Sequence, residues 1–166
     1  AVPLGEGRHL MAPLVMAKLM EAAAPGPHDL ALVIGSGCGY GAAVLSHLSG
    51  TVVALESDSG LAQQSTQTFS DLGVDTIAVV EGELQKGYPD QAPYDVIFFN
   101  GAVTEVPDEI SGQLAEGGRL VTVIAGKGTG KGVLITRHKS GLSSREVFDT
   151  TTPFLPGFEP QEAFVF

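Results

Sequence analysis

The sequence predicts an α/β chain on a mostly parallel, doubly wound sheet that closes in an antiparallel hairpin. Short apolar runs alternate with amphipathic stretches along most of the chain, which is the pattern of β-α units. A glycine-rich turn separates the first apolar run from the helix after it. The last two runs are joined by too few residues for a crossover helix, so they must be antiparallel.

Residues 13–24 carry Leu14, Met16, Ala17, Leu19 and Met20 at helical spacing, and Pro25-Gly26-Pro27 stops that helix. Residues 30–34 (LALVI) suit a strand buried on both faces, residues 35–41 form the glycine-rich turn, and 42–48 open a helix. A second strand over 51–55 ends at Glu56, and Asp58 caps a helix running to Leu72. Strands follow at 76–80 and 94–99, separated by the polar loop 81–93. A helix over 106–114, ended by Gly117-Gly118, leads to a fifth strand at 119–125. The stretch 126–132 (GKGTGKG) reads as a flexible loop, after which strands 133–137 and 145–148 flank a short Gly-containing loop. Residues 163–166 compete with 145–148 as the last strand. Phe154, Leu155, Phe158, Phe164 and Phe166 make an apolar tail that either packs back on the domain or serves a dimer contact.

The 166 residues are 43% hydrophobic and 17% charged, which suffices for a core and excludes disorder, collagen and a disulfide scaffold. The formal charge of −10 sets an unfavourable field for nucleic acid and anionic lipid, so neither is an expected partner. No run approaches the roughly 18–20 apolar residues of a membrane span, and the start lacks a signal-peptide pattern. A cytoplasmic location is the expectation, and the single Cys38 has no partner for an intramolecular disulfide. His9, His28, His47 and His138 are scattered without ligand spacing, so no metal site is expected.

Gly35-Ser36-Gly37-Cys38-Gly39-Tyr40-Gly41 lies between a buried strand and a helix, where glycine admits positive φ and close approach of a ligand to the backbone. Glu56 follows Gly39 by 17 residues, at the end of the second strand, where an acid takes hydrogen bonds from ribose hydroxyls. Loop and acid in this order point to a nucleoside-containing ligand; the plainer alternative is a tight turn and a solvated acid. Gly37 to Ala42 also satisfies G-x-G-x-x-A, which leaves a nicotinamide dinucleotide open, although no Tyr-x-x-x-Lys pair follows. The terminal hairpin favours a methyltransferase-like ending. Asn100-Gly101-Ala102, at the carboxyl edge of the fourth strand, reads either as pocket lining or as an Asn-Gly turn. Tyr40 and Tyr88 either wall the pocket or pack.

Three stretches resemble the protein-L-isoaspartate O-methyltransferases: Ile34 to Tyr40 with Ala42-Ala43-Val44-Leu45; Gly87-Tyr88-Pro89 with Ala92-Pro93-Tyr94-Asp95; and Leu114 to Val121. The likeness runs from about Gly7 to Pro156. It implies a Rossmann-like sheet of seven strands with an antiparallel ending, S-adenosylmethionine as cofactor with S-adenosylhomocysteine as product, and a protein or peptide acceptor carrying isoaspartyl residues. It further implies one methyltransferase-like domain over 1–166: an N-terminal helix segment (1–29), nucleoside-binding β-α units (30–125) and C-terminal antiparallel strands (126–166). The family has a helical segment ahead of the position of Gly7, so the sequence is expected to lack that piece.

The resemblance places Gly35, Ser36, Gly37, Gly39, Tyr40, Glu56, Ser57, Gly82, Glu83, Leu84 and Asn100 around the cofactor, with Glu56 on ribose and Glu83 near the adenine amino group. His9, Met11 and Asn100 then face the substrate. Two positions depart from the family pattern. Val33 stands where the family has an acid two residues before the glycine loop, and His9-Leu10-Met11 replaces a Thr-Ile-Ser segment. A hydrogen bond to a charged group contributes about 1.5–3 kcal/mol, so the missing acid implies a tenfold to hundredfold loss of affinity, roughly. Arg8 offers a charge for an acceptor carboxylate. The alternative function is a catalytically degenerate relative acting as a nucleoside-binding or protein-interaction domain.

Overall fold

The computed structural model describes residues 1–162. A two-stranded antiparallel hairpin, β1 (Val2–Gly5) and β2 (Arg8–Leu10), precedes α1 (Pro13–Ala23). There follow β3 (Leu30–Ile34), α2 (Tyr40–Ser46), β4 (Thr51–Glu56), α3 (Ser59–Asp71), β5 (Ile77–Glu81), β6 (Tyr94–Val103), α4 (Asp108–Ser111), β7 (Leu114–Ile124), β8 (Gly130–His138) and β9 (Gly141–Thr150). The main sheet has seven strands in the order β5-β4-β3-β6-β7-β8-β9, parallel up to β7 and antiparallel through β8 and β9.

Alternation along the strands divides the core in two. Ala31, Val33, Val52, Ala54, Val96 and Phe98 pack on one face with Met16, Leu19 and Met20 of α1, Ala42 and Leu45 of α2, and Phe69 of α3. Leu32, Ile34, Val53, Leu55, Ile97 and Phe99 pack on the other with Leu84, Ile110, Leu155 and Phe158. The three longer helices thus share one face. The second is closed by α4, the single turn Leu84–Lys86 and the chain after β9. There Phe154 bridges Ala102, and the Phe158 ring meets Phe99 edge-on at 5.8 Å. The tail therefore packs back on the sheet as far as Phe158, and residues 159–162 are exposed. Phe164, Phe166 and the alternative last strand at 163–166 lie outside the described residues.

Several elements differ from expectation. Residues 1–29 carry a β-hairpin before their helix, because Gly5 and Gly7 at φ +94° and +73° turn the chain back on itself within a stretch too short to show a period. The helix expected at 106–114 closes after one turn at Gly112, and Leu114 already pairs with Tyr94 in the sheet. Gly117-Gly118 consequently sits in a bulged part of β7, between the Tyr94–Leu114 and Val96–Arg119 pairs, instead of ending a helix. The flexible loop at 126–132 is shortened by β8, whose Gly132 makes room for the Phe148 ring across the hairpin. Asn100-Gly101 is no turn: β6 continues through it to Val103.

Two polar staples align the sheet with its helices. Asp95 accepts from the Leu30 N–H at 2.8 Å and so fixes the start of β3 against β6. Arg119 of β7 donates to the Ala23 and Ala24 carbonyls and to Asp29 at 2.7 Å, closing the end of α1.

Candidate nucleoside-binding site

Chain order reverses between β3 and β6, the two central strands, and their carboxyl ends open the crevice where open α/β sheets hold ligands. From β3 the chain enters Gly35 to Gly39, and from β6 it reaches Asn100, whose Nδ2 donates to the Gly35 carbonyl at 3.0 Å. One side chain thereby spans the crevice. Gly35, Gly37 and Gly39 all have positive φ, and Gly39 precedes α2. A Cβ on Gly39 would lie 2.5 Å from the Phe69 ring. Gly39→Ala is therefore expected to lower stability by about 2–4 kcal/mol, from left-handed strain and overpacking, as read by urea unfolding.

Glu56, at the end of β4, is fully buried. Its Oε2 accepts from the Gly37 N–H at 2.7 Å, and its Oε1 from the N–H groups of Ser57 and Asp58 at 2.8 and 3.0 Å. The Arg8 guanidinium of β2 closes on both oxygens, Nη1 to Oε1 and Nη2 to Oε2 at 2.8 Å. Arg8 is itself 5% exposed. The pair joins residues 48 apart in sequence and brings the N-terminal hairpin over the glycine loop. Leu4 of β1 covers Gly37, while Arg8 and Leu155 cover Gly35.

Buried polar atoms without a protein partner mark this region. Among the described residues they include Ser36 Oγ in the glycine loop, Asn100 Oδ1 at the end of β6 and His9 Nδ1 beside Arg8. A buried polar atom left alone is costly, so the two at Ser36 and Asn100, which border the crevice, indicate a polar ligand. The donor set fits a nucleoside with a charged tail: a carboxylate for hydroxyls, a hydroxyl and an amide oxygen for an ammonium, and glycine backbone for close approach. That fit requires Arg8 to leave Glu56.

The remaining expected residues fall into three groups. Gly82 lies next to Glu56, its N–H donating to the Glu56 carbonyl, and Glu83 follows on the exposed rim in an ion pair with Lys86 at 3.1 Å. Ser57 contributes its N–H, and Tyr40 is 45% exposed at the start of α2. Met11 and Leu84, by contrast, are core residues at 1% exposure, which accounts for both without a ligand. Val33 is likewise wholly buried against the α1 to α3 side.

The Gly87-Tyr88-Pro89 motif proves to be structural support. Gln113 accepts from the Tyr88 N–H and donates to the Lys86 carbonyl, holding the loop behind Glu83. Tyr94 donates its hydroxyl to the Tyr88 carbonyl, and burial pushes that phenol well above its usual range. Sequence reasoning gave Arg8 only a substrate role; its pairing with Glu56 has no local signal. Among the described residues no group of three His, Cys, Asp or Glu is placed to hold a metal, and no helix is long and apolar enough to cross a membrane.

Residues 1–156 match the family model described as protein-L-isoaspartate(D-aspartate) O-methyltransferase. The chain belongs to this family. It is 35% identical over 139 residues to the protein-L-isoaspartate O-methyltransferase of Methanoregula boonei, covering 84% of this chain and 64% of that one. Against the enzyme of that name from a Synechococcus species it is 41% identical over 123 residues, covering 74% of this chain and 50% of the relative. The chain thus spans between half and two-thirds of the length of these relatives. A solved protein-L-isoaspartate O-methyltransferase superposes with a TM-score of 0.82 at 30% identity, over 89% of this chain and 48% of the other. A Plasmodium falciparum structure in complex with S-adenosyl-L-homocysteine shares the fold at a TM-score of 0.74 and 23% identity, over 93% of this chain and 78% of that one. Membership in this family sets aside the nicotinamide alternative left open by G-x-G-x-x-A.

Proposed function

We propose that the protein is an S-adenosylmethionine-dependent methyltransferase that esterifies a carboxylate of isoaspartyl residues in proteins or peptides. The observation that carries this reading is the buried Glu56 carboxylate, set beside a positive-φ glycine loop at the switch point of a family-typical sheet. In it, Glu56 takes a ribose hydroxyl, Glu83 the adenine amino group, and the Gly35 to Gly39 backbone the methionine part, with Ser36 Oγ and Asn100 Oδ1 as its polar contacts. Held there by Glu56, Glu83 and the glycine loop, S-adenosylmethionine would supply an electrophilic sulfonium methyl group for an acceptor carboxylate, leaving as S-adenosylhomocysteine. An ionised carboxylate is already a nucleophile, so alignment and exclusion of water are the tasks left to the protein. Leu4, Leu155 and the apolar β6 end provide the exclusion, and His9 is the group proposed to face the acceptor. A cytoplasmic setting accords with the unpaired Cys38.

The test is transfer of labelled methyl from S-adenosylmethionine to a peptide containing one isoaspartyl residue, against the same peptide with ordinary aspartate. Base-labile label on the isoaspartyl peptide alone is expected. The second reading, a degenerate relative, draws on Arg8 occupying Glu56 and on the buried Val33; folded protein that labels neither peptide would favour it.

A further inference from the structure

We propose that Arg8 is an internal competitor for the nucleoside, and that the β1–β2 hairpin is the lid it locks: a ligand hydroxyl reaches Glu56 only after the guanidinium has left. The proposal rests on the nucleoside reading of the site and adds to it a gate that controls access.

The first step is a count of acceptor capacity. A carboxylate offers about four lone-pair sites. Glu56 already receives three backbone N–H groups, from Gly37, Ser57 and Asp58, besides the two guanidinium nitrogens of Arg8. These five donors already exceed that capacity, so no site remains for a ribose hydroxyl while Arg8 is in place; its departure leaves the three N–H groups and frees one site, on Oε2 beside the Gly37 N–H. The backbone donors belong to the glycine loop and the turn after β4, which cannot withdraw without dismantling the crevice. Arg8 is the one donor carried on a side chain.

The second step concerns what holds Arg8 in place. β1 pairs with β2 and is not part of the seven-stranded sheet. Val2, Pro3 and Gly5 are exposed, and Leu4 is the residue of β1 that reaches inward, against Gly37. The turn between the strands has three consecutive positive φ values, at Gly5, Glu6 and Gly7. The hairpin therefore has few attachments beyond Leu4 and the Arg8–Glu56 pair. Released, the long Arg8 side chain moves outward with β2 into water, where a charge is better solvated than in the crevice. A closed state of this kind weakens apparent affinity by the fraction of molecules in which Arg8 is displaced.

The experiment is a calorimetric titration of S-adenosylhomocysteine into the full chain and into Arg8→Gln and Arg8→Lys. Gln removes the competing charge, while Lys keeps it but loses the two-pronged fork that fits a carboxylate. The expected order of affinity is Gln, then Lys, then the unaltered chain, with Gln tighter than the unaltered chain by about tenfold or more. Equal or weaker binding in the folded variants would overturn the gate and leave the nucleoside site standing. Absence of binding in all three would overturn both. Where Arg8→Gln fails to fold, Arg8→Lys and deuterium uptake over residues 2–10 of the unaltered chain decide: uptake that rises on saturation supports the lid, and unchanged or lower uptake refutes it.

Discussion

Glu56→Ala is expected to lower the free energy of unfolding by about 3–5 kcal/mol, because three N–H groups lose their acceptor at about 1–3 kcal/mol each. The substitution leaves the N–H groups of Gly37, Ser57 and Asp58 without their acceptor, while the released Arg8 side chain turns out to water. Against a total stability of about 5–15 kcal/mol such a loss is large enough to shift the urea midpoint visibly without abolishing the fold. It is also expected to remove S-adenosylhomocysteine binding, since among the described residues no other buried carboxylate stands at the carboxyl end of β4. Arg8→Met in the Glu56→Ala background is expected to restore neither stability nor binding, because the released guanidinium is already solvated. A double variant clearly more stable than Glu56→Ala would mean that Arg8 stays buried once its partner is gone, contrary to a hairpin that opens.

Phe158→Ala is expected to cost about 3–5 kcal/mol as well, here through a cavity. The ring is 4% exposed and stands edge-on to Phe99 at 5.8 Å, on the face of the sheet that lacks long helices. Its backbone ties the tail to β6, accepting from the Thr104 N–H and donating to the Leu155 carbonyl. Leu155 in turn lies where a side chain on Gly35 or Gly101 would have to go. Loosening Phe158 should therefore be felt at the crevice: Leu155 loses its anchor, and deuterium uptake at Gly35 and Ala102 should rise along with the fall in stability. Unchanged uptake there would separate the tail from the site.

The fold was legible wherever burial imposed a period. The runs at 30–34, 51–55 and 94–99 are apolar because their strands are covered on both faces, and the structure places β3, β4 and β6 on them. The final hairpin followed from loop length alone. What escaped was set by distant partners. Gly117-Gly118 reads as a helix stop in isolation, yet the pairing of Leu114 with Tyr94 draws the segment into β7. The β1–β2 hairpin is too short for periodicity and is fixed by what it covers.

The site divides in the same way. Glu56 was legible from its spacing to Gly39, since the β-α-β connection fixes where the second strand ends. Arg8 was not legible as its partner, because nothing local relates residues 48 apart. Met11 and Val33 both depart from the family pattern, and the structure accounts for them as core side chains. The Gly87-Tyr88-Pro89 motif looked distinctive because a tight loop needs it: Gly87 has φ +60° with Gln113 packed against it.

A crystal structure of the chain with S-adenosylhomocysteine decides whether Glu56 is a ribose acceptor. A ribose hydroxyl is expected within hydrogen-bond distance of Glu56 Oε2, with the Arg8 guanidinium withdrawn from the carboxylate. A ligand seated elsewhere, with Arg8 still closed on Glu56, would contradict that role.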